Sequence, residues 1–151
     1  MDLPEPQITW FIYDQTSKKY IENNEYYAGT YNQKNDLEVT FMIWNNRYGT
    51  TAVEDLKDFG IAVSFDDEED CALLKYCAFI INNSRYVTPT VVKNLSVIQV
   101  PSEIVLSGEI NDGTEANYNN YMLLSFVLSV PEKLKIKMND LKGLTFDITR
   151  L

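Results

Sequence analysis

Alternation with a period of two residues dominates this chain and constrains its fold more than any other feature. Side chains of an extended backbone point to opposite sides at successive positions, so a strand with one buried face reads apolar, polar, apolar. In MLLSFVLSV, Met122, Leu124, Phe126, Leu128 and Val130 point one way, and Leu123, Ser125, Val127 and Ser129 the other. DLEVTFMIWN sets Leu37, Val39, Phe41 and Ile43 against Glu38, Thr40, Met42 and Trp44, while FGIAVSF gathers Phe59, Ile61, Val63 and Phe65. ITWFIYD, LSVIQV, EIVLSGEI and LTFDI are further candidates. About nine or ten short strands, joined by Asn, Gly, Asp and Pro, predict an all-β fold, an antiparallel β-sandwich. One polar face per strand speaks against a parallel sheet covered on both sides.

One or two short helical turns complete the expected architecture. Thr51-Ala52-Val53-Glu54 fits a capping box ahead of VEDLKDF, which predicts a turn or two of helix before the strand that starts at Phe59. Five acids, Asp66 to Asp70, then crowd the front of CALLK. Acids favour the partially positive start of a helix, so a helical turn followed by the strand YCAFIIN is expected, with a strand running all the way from Cys71 as the alternative. A chain of 151 residues suits a single domain with one core. Residues 1–30 are left open between a part of the sandwich and an N-terminal arm or edge hairpin.

Totals exclude more than they assign. A composition 45% hydrophobic and 23% charged is that of a folded protein. A net charge of −9 repels polyanions, which argues against nucleic acid as a partner. MDLPEPQ lacks the basic and apolar regions of a secretory leader, and the longest apolar stretch, Tyr121–Val130, is about half a membrane span. No membrane partner is therefore expected, and the cytoplasm is the expected location. Cys71 and Cys77 would lie about 20 Å apart in a strand or about 9 Å apart along a helix, too far for a local disulfide. Buried thiols in a reducing compartment are the expectation.

Catalysis finds little support. The chain has no histidine, which removes the commonest general base and the usual zinc ligand. It lacks a nucleophile elbow, a glycine-rich phosphate loop and a Cys-x-x-Cys pair. A glycosidase pair among the 22 acids needs a cleft that small sandwiches seldom offer. The expectation is a protein that is not an enzyme and carries no cofactor. Calcium is the one metal considered: Asp66, Asp67 and Glu69 offer oxygens, and INDGTE could add more. The run lacks the alternate spacing of a calcium loop and reads as a wet, helix-capping turn.

Tyrosine and arginine supply the candidate contact surface. NNEYYAGTYNQ places Tyr26, Tyr27 and Tyr31 in a polar stretch, and WNNRYGTT adds Arg47 and Tyr48. Interfaces enrich these residue types because each offers large area at modest entropic cost. The same rings, or Trp44, could instead stack on sugars in a carbohydrate-binding module, with calcium held by the acidic loop. The lysine ladder EKLKIKM, with Lys133, Lys135 and Lys137 between apolar residues, reads as the guard of an edge strand.

The stretch FMIWNNRYGTTAVEDLKDFGIAVSF, Phe41 to Phe65, resembles small β-sandwich virion proteins of tailed bacteriophages that infect low-GC Gram-positive bacteria. The shared pattern is a strand ending in Trp-Asn-Asn-Arg, a Gly-Thr turn and an acidic half-helix before the next strand. That resemblance implies an immunoglobulin-like or jelly-roll β-sandwich that serves as a structural module of a capsid or tail, assembled in the host cytoplasm, with other protein subunits as partners in a homo-oligomer or hetero-assembly.

Overall fold

The computed structural model describes residues 2–30, 36–66, 68–131, 133 and 140–150, with the side chains at 27–30, 68–71, 140–142 and 150 outside that description. Two antiparallel sheets pack against each other. The first orders six strands as β2 (Lys19–Glu22), β1 (Ile8–Asp14), β4 (Leu37–Asn45), β10 (Tyr121–Leu128), β6 (Cys77–Ile81) and β7 (Arg85–Val87). The second orders five as β3 (Glu25–Thr30), β11 (Asp140–Arg150), β5 (Phe59–Phe65), β9 (Leu95–Gln99) and β8 (Thr90–Val92). Outside the hairpins β1–β2, β6–β7 and β8–β9, every step between successive strands changes sheet.

The core lies where the alternation puts it. Val39, Phe41 and Ile43 of β4 and Met122, Leu124, Phe126 and Leu128 of β10 meet Phe59, Ile61, Val63 and Phe65 of β5 and Leu144 and Phe146 of β11. Phe146 ties the layers together, its ring 4.4 Å from Phe41, 5.3 Å from Phe126 and 6.4 Å from Trp10. A 3-10 helix, Glu68–Tyr76, brings Leu73 and Leu74 into this core and leads directly into β6, as the acidic run ahead of CALLK predicts. Asn82 and Asn83, both with positive φ, form the tight β6–β7 turn, the backbone shape that right-twisted hairpins favour.

Two expectations fail. VEDLKDF forms no helix. Its backbone runs extended against residues 106–108: Val53 N–H donates to Gly108 O at 2.9 Å, and Leu56 and Leu106 exchange a pair of bonds at 2.9 Å. The three-residue spacing of Val53 and Leu56 suits a helix face, but both are buried here by a neighbour distant in sequence. EIVLSGEI is likewise no strand: Leu106 forms an isolated bridge with Leu56, and no ladder extends from it. Of the lysine ladder, Lys133 is exposed, while Lys135 and Lys137 lie outside the described residues.

Candidate interaction surface

Strand register decides which side chains share the outer face of the six-stranded sheet. Phe11 lies opposite Met42, and Met42 opposite Leu123; Trp44 sits between Thr9 and Tyr121. Ser125 sits between Thr40 and Ile80, with Tyr86 beyond Ile80. Val127 sits between Glu38 and Ala78. At the β1–β2 end Tyr13 faces Tyr20, their rings 5.3 Å apart. Neither Met42 nor Trp44 belongs to the inter-sheet core, as their outward parity requires. An antiparallel sheet with one side in water turns polar residues to that side. This one turns out mainly aromatic and aliphatic residues around a central Thr40–Ser125 hydroxyl pair 3.2 Å apart, with Thr9, Glu22 and Glu38 nearer the strand ends. Phe11, Leu123, Val127 and Ile80 are half-buried by one another, and Tyr86 is 76% exposed. Burial, and secondarily the Glu115 carboxylate, push the Tyr20 and Tyr121 phenols above their ordinary range.

At one end of the face Arg47 is stacked rather than free. Its guanidinium lies 4.6 Å from the Phe11 ring, 4.9 Å from Trp44 and 5.0 Å from Tyr48, while its Nε donates to Gly113 O at 3.1 Å. Cation–π contacts of this kind contribute about 0.5–2 kcal/mol each. Arg47 is held there by a loop in which Asn46 and Tyr48 both take positive φ, a conformation costly for tyrosine. A lattice of asparagine amides fixes it. Asn45 Oδ1 accepts from Gln7 N–H, and its Nδ2 donates to Glu54 O and Leu106 O. Asn46 Nδ2 donates to Thr51 O and Gly108 O. Asn111 Oδ1 accepts from the N–H groups of Tyr48 and Gly113, and Asn120 Nδ2 donates to Ser107 O and Glu109 O. Gly113 has φ +77°, and a Cβ there would fall 2.0 Å from the Tyr48 ring. Tyr48 thus lies flat on glycine, 63% exposed.

The candidate residues from the sequence do not form one patch. Arg47 and Tyr48 meet at the end of the outer face. Tyr26 lies on β3, in the other sheet, half-buried against the core. It lines a cleft of about 330 Å³ together with Tyr13 and Ile21. Tyr31 and the side chain of Tyr27 lie outside the described residues. Trp44 is completely buried, which corrects its candidacy as a sugar-stacking platform: Tyr121 and Arg47 cover it. Asp66 turns to β11, accepting from Thr145 Oγ1 at 2.8 Å, while Asp67 and the side chain of Glu69 lie outside the described residues. Among the described residues no three acidic or thiol side chains gather closely enough for a metal. Asp112 of INDGTE caps its own turn by accepting from Thr114 Oγ1, Thr114 N–H and Asn117 Nδ2, bonds that hold its carboxyl below the ordinary range. Cys77 is buried, its thiol donates to Leu73 O, and burial pushes its pKa up to about 12.

The outer-face residues Phe11, Tyr13, Tyr20, Met42, Ile80, Leu123 and Val127 carry a legible signal. ITWFIYD is aromatic or aliphatic on both sides, and the second side of MLLSFVLSV holds Leu123 and Val127. Compared with known proteins, the chain matches no protein-family model, no curated protein and no solved structure.

Proposed function

We propose that this chain is a non-enzymatic structural protein of a multi-subunit particle, a tailed-phage virion component in keeping with the resemblance over Phe41–Phe65, and that it joins neighbouring subunits through the outer face of its six-stranded sheet. The apolar character of that face is the observation that carries the reading, because an antiparallel sheet standing alone in water has no need of it. At about 4.8 Å between strands and 3.4 Å per residue, six strands of these lengths tile roughly 600 Å². Two such surfaces bury about 1,200 Å², the lower end of specific interfaces. The stacked Arg47 and the glycine-seated Tyr48 add a rigid aromatic edge that loses little entropy on contact. The acidic half-helix of the resemblance is extended here, so the strand end and its Trp-Asn-Asn-Arg corner carry the likeness.

Light scattering on the purified protein over a concentration series tests the proposal. The expected result is a concentration-dependent oligomer for the parent chain. Leu123→Glu with Val127→Glu should give a monomer with an unchanged circular-dichroism spectrum, because both side chains point away from the core. A parent that stays monomeric throughout, or an oligomer indifferent to both glutamates, would refute it.

A further inference from the structure

The strand β11 outruns its neighbour. β3 pairs with it from Thr30–Asp140 to Glu25–Thr145, and Asn24 adds one more step. Phe146 N–H donates to Asn24 O at 2.9 Å, and Asn24 Nδ2 takes the place of a backbone donor on Phe146 O at 3.0 Å. Beyond that point β11 continues from Asp147 to Arg150, where among the described residues it pairs with β5 on its other side only. The antiparallel alternation turns the N–H and C=O of Ile148 towards the unpaired edge. Across the seam β1 repeats the pattern. β2 stops opposite Phe11, Asn23 N–H closes on Trp10 O at 2.9 Å, and among the described residues no strand pairs with Ile8 on that side.

Between these two strand ends lies a cleft of about 640 Å³, within the size range of real binding sites. Ile8, Trp10 and Ile148 give it apolar lining, and the Asn23–Asn24 crossing bounds it. Glu22 and Asp147 line it as well, both exposed, and no lysine or arginine is among its described lining residues. The surrounding chain carries nine more negative charges than positive ones.

We propose that this slot accepts an extended segment of a partner protein that alternates apolar and basic residues, added as a strand to the free edge of β11. Backbone groups at Ile148 would supply the pairing. Opposite Ile148, the added strand turns an apolar side chain inward towards Trp10 and Ile8. Its neighbouring residues turn outward beside Asp147, which favours lysine or arginine there, while Glu22, turned to the outer side of the six-stranded sheet, adds negative potential at the other wall of the cleft. The same acids repel a second copy of this acidic chain, so the edge stays unpaired until a basic segment arrives. The inference goes beyond the outer face and needs neither that surface nor a particle.

The test uses the full chain and three short synthetic peptides: one of alternating valine and lysine, one with glutamate for lysine, and the lysine peptide N-methylated on the backbone at alternate residues. Binding is followed by calorimetry at low salt and by hydrogen exchange at the Ile148 amide. The lysine peptide should bind and slow exchange at Ile148 at least about tenfold, with the N-methylated peptide at least about tenfold weaker. Glu22→Gln with Asp147→Asn should weaken binding by at least about tenfold without altering thermal stability, and so should a rise in salt. Leu123→Glu with Val127→Glu should leave binding intact, which separates this slot from the outer face. Absence of binding, equal binding of the glutamate peptide, unchanged affinity in the acid-to-amide variant, an unprotected Ile148 amide, or occupation of the cleft by a neutral oligosaccharide instead would each overturn the proposal.

Discussion

Replacing Asn45 with alanine tests whether the asparagine lattice, rather than regular pairing, holds the irregular segments 46–58 and 100–120 in place. Asn45 is wholly buried at the end of β4 and serves three segments at once: Gln7 N–H at 2.9 Å, Glu54 O at 2.9 Å and Leu106 O at 3.0 Å. Asn45→Ala deletes all three bonds and leaves a methyl group that can satisfy none of them. An orphaned buried group costs about 1–3 kcal/mol, and a part-buried one that regains water costs about 0.5–1.5 kcal/mol. Leu106 O keeps the Leu56 N–H as a donor when the Asn45 amide is lost, and the bonds to Gln7 and Glu54 are only part-buried, so all three belong to the second class. The expected loss is about 1.5–4.5 kcal/mol, which lowers Tm by roughly 3–18 °C at this chain length. Urea unfolding should show a lower midpoint with an unchanged slope. Asn45→Asp sharpens the test. It keeps the acceptor for Gln7 but turns carboxylate lone pairs on two carbonyl oxygens, so its carboxyl pKa rises in the fold. A raised folded-state pKa means stability present at low pH and lost as pH rises through that value, so this variant should be more stable near pH 5 than near pH 7, relative to the parent. A loss below about 1 kcal/mol for Asn45→Ala, or an Asn45→Asp variant without that pH dependence, would show that the segments are held by something else.

Gly108 approaches the backbone of the neighbouring segment, where a Cβ would meet Val53 O at 2.0 Å. Because a backbone carbonyl cannot swing aside, Gly108→Ala should cost more than about 2 kcal/mol and abolish the Leu56–Leu106 exchange protection, read by hydrogen exchange. Arg47→Ala should cost about 1–2 kcal/mol and shift tryptophan emission to longer wavelength as Trp44 loses its cover, while Arg47→Lys restores only part because the Nε bond and planar stack are gone. Burial lifts the Cys77 thiol to about 12, whereas an unfolded thiol ionises near pH 8.5. Its contribution is complete below pH 8.5 and fades as pH rises towards 12, by about 1 kcal/mol between pH 8.5 and 9.5. Unfolding in a Cys71→Ser background should show that slope, and adding Cys77→Ala should remove it.

Most of the sandwich was legible because its signal is local. Val39, Phe41 and Ile43, or Met122 to Leu128, announce a strand and its buried side from spacing alone. What the spacing does not carry is the identity of the strand next door. Phe11, Met42 and Leu123 look like unrelated outward residues until register sets them in one row. The asparagines of WNNR, INDG and YNN read as turn-formers, yet Asn45, Asn46 and Asn120 are buried connectors. Their partners, Leu106, Gly108 and Ser107, stand up to 62 residues away in sequence. VEDLKDF was misread for the same reason: its capping box is a local preference, and the Leu106–Gly108 backbone is a distant competitor that wins.

The place of β11 in its sheet bears on how the protein comes to exist. It lies between β3 and β5, and its Phe146 ring is the contact shared by Trp10, Phe41 and Phe126. While the ribosome is still short of residue 140, β3 and β5 have no strand between them and the aromatic cluster lacks its centre. Until β11 emerges the nascent chain therefore carries unsealed oily surfaces, and the sandwich leans on whatever shields nascent polypeptides from sticking to each other.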